Sequence, residues 1–508
     1  MESATTTGAR QPSIALGLER SATRASALGW ALFGVLAAGI ALRLPTLGLQ
    51  SFHHDEVITA ARVLPGSFGQ MLHEVSASES TPPLYYALAW VWSQAFGTGE
   101  AGLRALSALA GIVTIPVVYL VGRELLDRRA GLFSAALVAV NPMLVWYSQE
   151  ARAYALLVLL CSASLLFFLR ARRSGRSLDL GLWSLFSALA LTTHYFAAFP
   201  IAIEAAWLLV VCPSRRPLWA ALGGIALTGA ALVPLVLGQM NPHHLDWISN
   251  SSLPSRLLHA GGSFLAGETG FSIGDNPQLQ YAVLPAMLVA GAAALALLGL
   301  RRISGRVALP LLIGVGTVGL ATLAALGGED YIVERNLLPA LVPLLSALGI
   351  GLAACRWRGA ATVFAAALFA FWLGFGVYVT QTPTLQRQDW RGVASLLGRP
   401  GRPRAIVTWR LGAAPLSYYL DDGATHGAGP LMVSEIDVVR HSGAAMRGRV
   451  PPGFTFSGAR RTGDLTVARF VAGHPRLLHH HLLRSLQTGF HANAVLSDSP
   501  LPRLGPLT

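Results

Sequence analysis

Apolar residues in this chain come in blocks of about twenty, the length that crosses a bilayer core of roughly 30 Å as a helix. Eleven such blocks read as spans: 28–47, 103–121, 130–147, 153–169, 178–193, 196–211, 218–237, 281–300, 307–326, 337–354 and 360–378. A further block, 84–96, has only 13 residues and suits an interfacial or re-entrant helix. Ser80 or Thr81 can cap it, and Pro82-Pro83 suits a first helical turn. After Tyr378 the pattern changes to short strand-like runs, 405–409 and 465–471, with a helical 390–397. The expected architecture is a mostly helical polytopic bundle with a small C-terminal α/β domain. Its expected divisions are a tail (1–26), a transmembrane domain (27–379) and an α/β domain (380–508).

Composition supports the bilayer. Of 508 residues, 53% are hydrophobic and 12% charged, and mean hydropathy is +0.52. Soluble domains carry about twice that charge. The figures exclude an ordinary soluble enzyme, a disordered chain and a disulfide scaffold. Cys161, Cys212 and Cys355 lie in or at the ends of spans and read as small apolar residues. The first span has no small-residue cleavage site, so it reads as a retained anchor.

The net charge of +13 comes from arginine alone, since the chain has no lysine. Much of it sits in short loops: Arg123, Arg128 and Arg129; Arg170 to Arg176; Arg215 and Arg216; Arg301 to Arg306; Arg356 and Arg358. With 84–96 kept out of the membrane count, these loops and the N-terminal tail share one side. The positive-inside rule makes that side the cytoplasm. Lipid, rather than nucleic acid, is the expected partner of this charge. Segments 48–102, 148–152, 238–280 and 327–336 and the α/β domain then face outward. No internal repeat is visible, which weakens a transporter reading.

The outward segments hold the candidate chemistry. Ser51-Phe52-His53-His54-Asp55-Glu56-Val57 places two acids and two imidazoles just beyond the first span. A shielded carboxylate there can serve as a general base; a solvated loop is the plainer alternative. Metal binding is disfavoured, because neighbouring residues on a helix do not share a face. Tyr147-Ser148-Gln149-Glu150-Ala151-Arg152-Ala153-Tyr154 forms a tight turn whose Glu150 and Arg152 are either interface anchors or cavity residues. Facing a cavity, Arg152 could hold a phosphate through its planar fork. Thr193-His194-Tyr195 and Glu329-Asp330-Tyr331-Ile332-Val333-Glu334-Arg335-Asn336 lie on the same side. Glu204 is mid-span, where a charge costs about 2.5–3.5 kcal/mol. His479-His480-His481 reads as an exposed helix face.

The order of these elements is similar to that of the GT-C superfamily, of the family 39-like kind. Protein O-mannosyltransferases and lipid A aminoarabinose transferases belong to that kind, and use polyprenyl-phosphate sugars. The motifs carrying the resemblance are Asp55-Glu56, Pro82-Pro83-Leu84-Tyr85-Tyr86, Gly122-Arg123-Glu124 with Arg128-Arg129-Ala130-Gly131, Gln149 to Tyr154, Thr193-His194-Tyr195, and Arg335 before Leu337-Leu338-Pro339. Thr81 departs from a common histidine and Asn336 from a common aromatic. The resemblance implies a membrane glycosyltransferase with Asp55 as base, accompanied by Glu56 and Glu150. His54, Arg152, Tyr154, His194, Tyr331 and Arg335 are the implied substrate-binding set. The implied donor is a mannose- or arabinose-like sugar on a polyprenyl phosphate, and the acceptor is a hydroxyl of a protein, lipid or glycan. The expected site is the outer face of the cytoplasmic membrane, with inversion at the anomeric carbon. No cofactor or metal is expected, and no glycine-rich nucleotide loop is visible. The rival classes are a polytopic transporter or lipid flippase, and a non-catalytic scaffold.

Overall fold

The computed structural model describes residues 28–240, 248, 251–268, 279–300, 308–420, 425–426, 431–442, 450–479, 482–483, 486 and 493–498. The tail 1–26, most of loop 241–278, and His480 and His481 lie outside the described residues.

The chain opens with α1 (Leu28–Ala41). There follow α2 (His54–Val57), a π-helical turn (Ile58–Val63), α3 (Phe68–Ser78), α4 (Leu84–Phe96), α5 (Glu100–Leu125), α6 (Arg128–Val140) and α7 (Pro142–Ser148). Next come α8 (Tyr154–Ser174), α9 (Ser177–Leu191), α10 (Ala198–Val211), α11 (Arg215–Gln239), α12 (Leu253–Ala266) and α13 (Leu279–Leu300). The bundle closes with α14 (Ala308–Leu326), α15 (Leu338–Ala354) and α16 (Arg358–Gln381).

Every predicted block overlaps a helix, but the count of eleven spans goes beyond what helix length and composition carry. Among the described residues, six helices are long and apolar enough to cross a membrane: α5, α8, α11, α14, α16, and α15 with the turn before it. The number is seven if α6 and α7 form one bent span. The helices Leu28–Ala41, Ser177–Leu191 and Tyr195–Val211, and the part Ala286–Leu297 of α13, are shorter. Helix α4 keeps the predicted bounds; at 13 residues it is about 20 Å long. It stops at Gly97, whose φ of +74° suits glycine.

Two local features shape the end of the bundle that holds the candidate site. First, block 130–147 is bent by 60° between α6 and α7. Asn141 caps α7 through Leu144 N, and Pro142 occupies its first turn. Second, α1 ends short of residue 47. Arg43, fully buried, donates to Ser148 Oγ (3.1 Å) and to the carbonyls of Gly39 and Ala139. Pro45 follows two residues later, and the residue before a proline avoids helix. Gln149 Nε2 donates to the Leu42 carbonyl (2.6 Å) and Thr46 Oγ1 (2.7 Å). The end of α1 is thereby tied to the turn after α7. At the other end of α5, small residues let helices touch. A Cβ on Gly122 would come within 2.8 Å of the Ala130 carbonyl on α6.

The C-terminal region holds α17 (Trp390–Leu397), β1 (Arg404–Trp409), α18 (Arg410–Tyr419), β2 (Thr425–His426), β3 (Leu431–His441), β4 (Thr455–Thr462), β5 (Leu465–Leu478) and β6 (Asn493–Asp498). These strands form one sheet in the order β2-β6-β1-β3-β5-β4, with β1–β3 parallel and the other pairs antiparallel. Strand β1 is buried on both faces. Ala405 and Val407 join one apolar cluster, while Ile406 joins the cluster of Trp390, Leu397 and Leu416 under α17 and α18. Those two helices press the domain onto the bundle.

Candidate active site

Four carboxylates meet at one end of the bundle, and each has an arginine. The pairs are Asp55–Arg335, Glu56–Arg104, Glu79–Arg152 and Glu150–Arg387. Arg104 lies in the first turns of α5, whose last turn carries Arg123. The loop of Arg123 and Arg129 is therefore at the opposite end, and the loop of Arg301 to Arg306 lies outside the described residues. At that opposite end Arg129 donates to the Arg358 carbonyl (3.0 Å) and Arg173 pairs with Glu124 (3.0 Å).

Helix α2 is one turn long and separates its two acids. Glu56 turns inward and has no solvent exposure. Its oxygens take both prongs of Arg104 (2.7 and 2.6 Å), the Ala151 amide (2.9 Å) and His53 (3.1 Å). Burial would raise its pKa, but Arg104 and then His53 hold it well below the usual carboxylate range. Both of its oxygens are occupied and closed off from solvent, and they tie α2 to α5 and to the turn after α7.

Asp55, one residue earlier, stays partly open to solvent. Its side chain is 29% exposed, 3.7 Å from Arg335 and 3.9 Å from His53 Nε2. Burial works to raise its pKa. Arg335, Arg152, His53 and His54 outweigh that and leave it ionised far into the acid range. His54 Nδ1 meets the Leu411 carbonyl of α18 at 3.1 Å. Burial lowers the His54 pKa despite the pull of Asp55.

Arg152 is not open to a ligand in the way its planar fork suggested. It grips Glu79 with both prongs (2.8 and 2.7 Å), touches Thr59 Oγ1 (3.3 Å) and lies over the Tyr86 ring at 5.7 Å. Its charge reaches Asp55 through space. Glu150 is buried and pairs with Arg387 (3.0 Å), which stacks on Trp146 at 4.1 Å. The other oxygen of Glu150 is buried with no hydrogen-bond partner among the described residues.

An aromatic wall continues from Asp55 past Arg335. Tyr154 meets Tyr147 edge-on at 5.0 Å and His194 at 5.8 Å. Burial, then Arg152 and Arg335, push the His194 pKa down to about 3, so the ring is neutral. Its Nδ1 accepts from the Phe196 amide (3.2 Å). Tyr147 donates to Glu268 (3.1 Å). Burial and the neighbouring Glu334 raise the Glu268 pKa, against the pull of Arg335. Tyr331 is not drawn into this wall. It packs on the apolar cluster of Phe196, Ile332 and Leu337, and its carbonyl accepts from Asn336 (2.8 Å). Among the described residues, no three His, Cys, Asp or Glu side chains come together at metal-ligating spacing.

Sequence reasoning missed Glu79, Arg104, Glu268 and Arg387. Glu79 stands immediately before Ser80-Thr81-Pro82-Pro83, and Arg387 immediately before Gln388-Asp389-Trp390. Glu79 therefore adjoins a motif that was legible, and Arg387 lies three residues before the predicted 390–397 helix. Arg104, an arginine within an apolar block, was the signal for a buried partner.

Residues 80–237 match the family model described as dolichyl-phosphate-mannose-protein mannosyltransferase. No curated protein matches the chain. Among solved structures, the fold is similar to that of ArnT from Cupriavidus metallidurans bound to undecaprenyl phosphate. Identity is 15% over 87% of this chain and 98% of that chain, at a TM-score of 0.51. Weaker likenesses are to two larger proteins. The archaeal oligosaccharyltransferase AglB from Archaeoglobus fulgidus, with an inhibitory peptide and a dolichol-phosphate, is 16% identical over 77% of this chain and 59% of its own, at a TM-score of 0.43. The arabinofuranosyltransferase AftD from Mycobacteria is 17% identical over 88% and 42%, at 0.43.

Proposed function

We propose that this chain, a member of the GT-C superfamily of membrane glycosyltransferases, transfers a mannose- or arabinose-like sugar from a polyprenyl phosphate to an acceptor hydroxyl. The reading rests on its family match and on one observation. Of the four paired carboxylates at the site, Asp55 alone stays partly open, paired loosely with a partly open arginine, Arg335. Asp55 takes the proton of the acceptor hydroxyl. The acceptor oxygen bonds to the anomeric carbon as the bond from that carbon to the phosphate oxygen breaks, and the electron pair leaves on the phosphate. One displacement inverts the carbon. Arg335 meets the phosphate charge, with its side chain 28% exposed, and Arg152 adds its field from behind. A phosphate arriving at Arg335 draws it from Asp55 and makes the carboxylate more basic. Neutral His194 can meet the phosphate or sugar without adding charge.

ArnT was solved bound to undecaprenyl phosphate, which supports a lipid-linked donor here. Arg123, at the far end of α5 from the site, together with the positive-inside rule supports a site at the outer face of the cytoplasmic membrane and an exported 380–508 domain. Protein, lipid and glycan hydroxyls all suit the chemistry. The transporter or flippase reading loses its main residue. Glu204 is 2% exposed and takes hydrogen bonds from Ser164 (2.7 Å) and Trp183 (2.8 Å). It therefore braces helices instead of lining a path.

Asp55→Asn tests the reading. Cell-envelope glycans and glycoproteins are compared by mass spectrometry in cells with no protein, wild type and the variant. The expected result is a sugar modification present only with wild type, with the variant at the protein-free level and expressed normally. That corresponds to a rate loss of about a thousandfold or more. Wild-type modification by Asp55→Asn would remove Asp55 as base.

A further inference from the structure

Three of the four residues from Ser51 to His54 are bonded to the C-terminal domain or the strap leading into it. Ser51 Oγ donates to the Gln388 carbonyl (2.8 Å) and accepts from the Trp390 amide (3.0 Å). The Phe52 amide donates to the Tyr419 hydroxyl (2.7 Å), which donates in turn to Glu100 (2.8 Å). His54 meets the Leu411 carbonyl. The fully buried Phe52 ring lies between the Arg104 guanidinium (5.2 Å) and Tyr418 (5.9 Å, edge-on). Tyr419 packs at once against the apolar cluster around Phe52 and Val57 and against the domain core around Trp390 and Leu416.

Helix α2 runs on into the π-helical Ile58–Val63, but as the first turn of that stretch its leading amides have no intrahelical carbonyl to meet. The pose of that first turn, and so of Asp55, depends on what grips it from outside. Glu56 and Arg104 anchor its inner side. The residues leading into it have the C-terminal domain.

We propose that the C-terminal α/β domain is a working part of the reacting site, and that Tyr419 is the positioning residue through which it holds Asp55. The inference rests on Asp55 as the base. Tyr419 touches no reacting atom. Its hydroxyl fixes the Phe52 amide, three residues before the base, and α18 supplies the carbonyl that orients His54 beside it. Loss of the hydroxyl leaves the domain folded and lets α2 rock. An error of about 1 Å in a base can cost up to a hundredfold in rate.

The test uses the full chain in lipid nanodiscs, with Tyr419→Phe. Hydrogen exchange of the 52–57 amides is measured beside turnover of undecaprenyl-phosphate mannose and undecaprenyl-phosphate arabinose, with host envelope extract supplying acceptors. The expected result is at least tenfold faster exchange at 52–57. With it, kcat falls about tenfold while the donor KM stays within twofold. Glu100→Ala removes the acceptor that orients the Tyr419 hydroxyl and is expected to show the same split at about threefold. It decides the matter if Tyr419→Phe does not fold. Unchanged exchange, or unchanged kcat with loosened amides, overturns the proposal. If wild type turns over neither donor, the transferase reading is what fails, and the exchange arm alone then decides whether the domain holds α2.

Discussion

Two regions of the helical bundle bury carboxylates, and they do so in opposite ways. Around Asp55, four acids are each matched by an arginine, and one pair stays partly open. Deep in the bundle, Glu204 is met by a serine hydroxyl and an indole N–H, and Ser164 is bonded onward to Ser187 (2.9 Å). A buried acid is thus not by itself a sign of chemistry. Neutral donors join helices, whereas opposing cations keep an acid ionised, and an ionised acid with an opening can take a proton. Within the site the same contrast separates neighbours: Glu56 is saturated and Asp55 is not.

Breaking the saturated pair has the largest expected effect on the fold. Glu56→Ala leaves Arg104 charged and buried without its partner, a loss of about 3–5 kcal/mol. Thermal unfolding in detergent should show a large fall in midpoint. A midpoint near wild type would erase the distinction between Glu56 and Asp55.

Arg335→Gln acts on the open pair. Donor KM should rise about tenfold to a hundredfold, the range of one charge-assisted contact. The pH profile should move as well. Arg335 favours the charged form of Asp55 and so lowers its pKa; without it the pKa rises, and activity is lost at higher pH as the solution is acidified. The acid limb of kcat/KM should shift upward by about one unit or more. An unmoved limb would mean that Arg335 does not bear on the base.

Glu204→Gln should do least. The amide oxygen can still accept from Ser164 and Trp183, so stability should change by less than about 1 kcal/mol and transfer should be unaffected. A large loss of activity would put Glu204 back on a functional path.

Much of the frame was readable before any coordinates. The short 84–96 block and the 390–397 helix coincide with α4 and α17, because end signals and periodicity are local. The 60° break at Asn141-Pro142 was missed within a block that hydropathy alone reads as continuous, although that dipeptide is itself a turn signal. Asp55 and Arg335 were found by resemblance and are 3.7 Å apart. Their neighbours' commitments were not legible. Glu56 finds Arg104 48 residues on, Arg152 finds Glu79 73 residues back, and Glu150 finds Arg387 237 residues on.

The sequence by itself determined that this chain partitions into a membrane, where its helical blocks fall, and which segments hold ionisable groups. Each of those follows from transfer free energy and short-range pattern. Only the tertiary structure decided which acid received which arginine. Ion pairing depends on distance in space, and packing, not spacing along the chain, left Asp55 partly open beside a cation and closed every other acid of the four pairs.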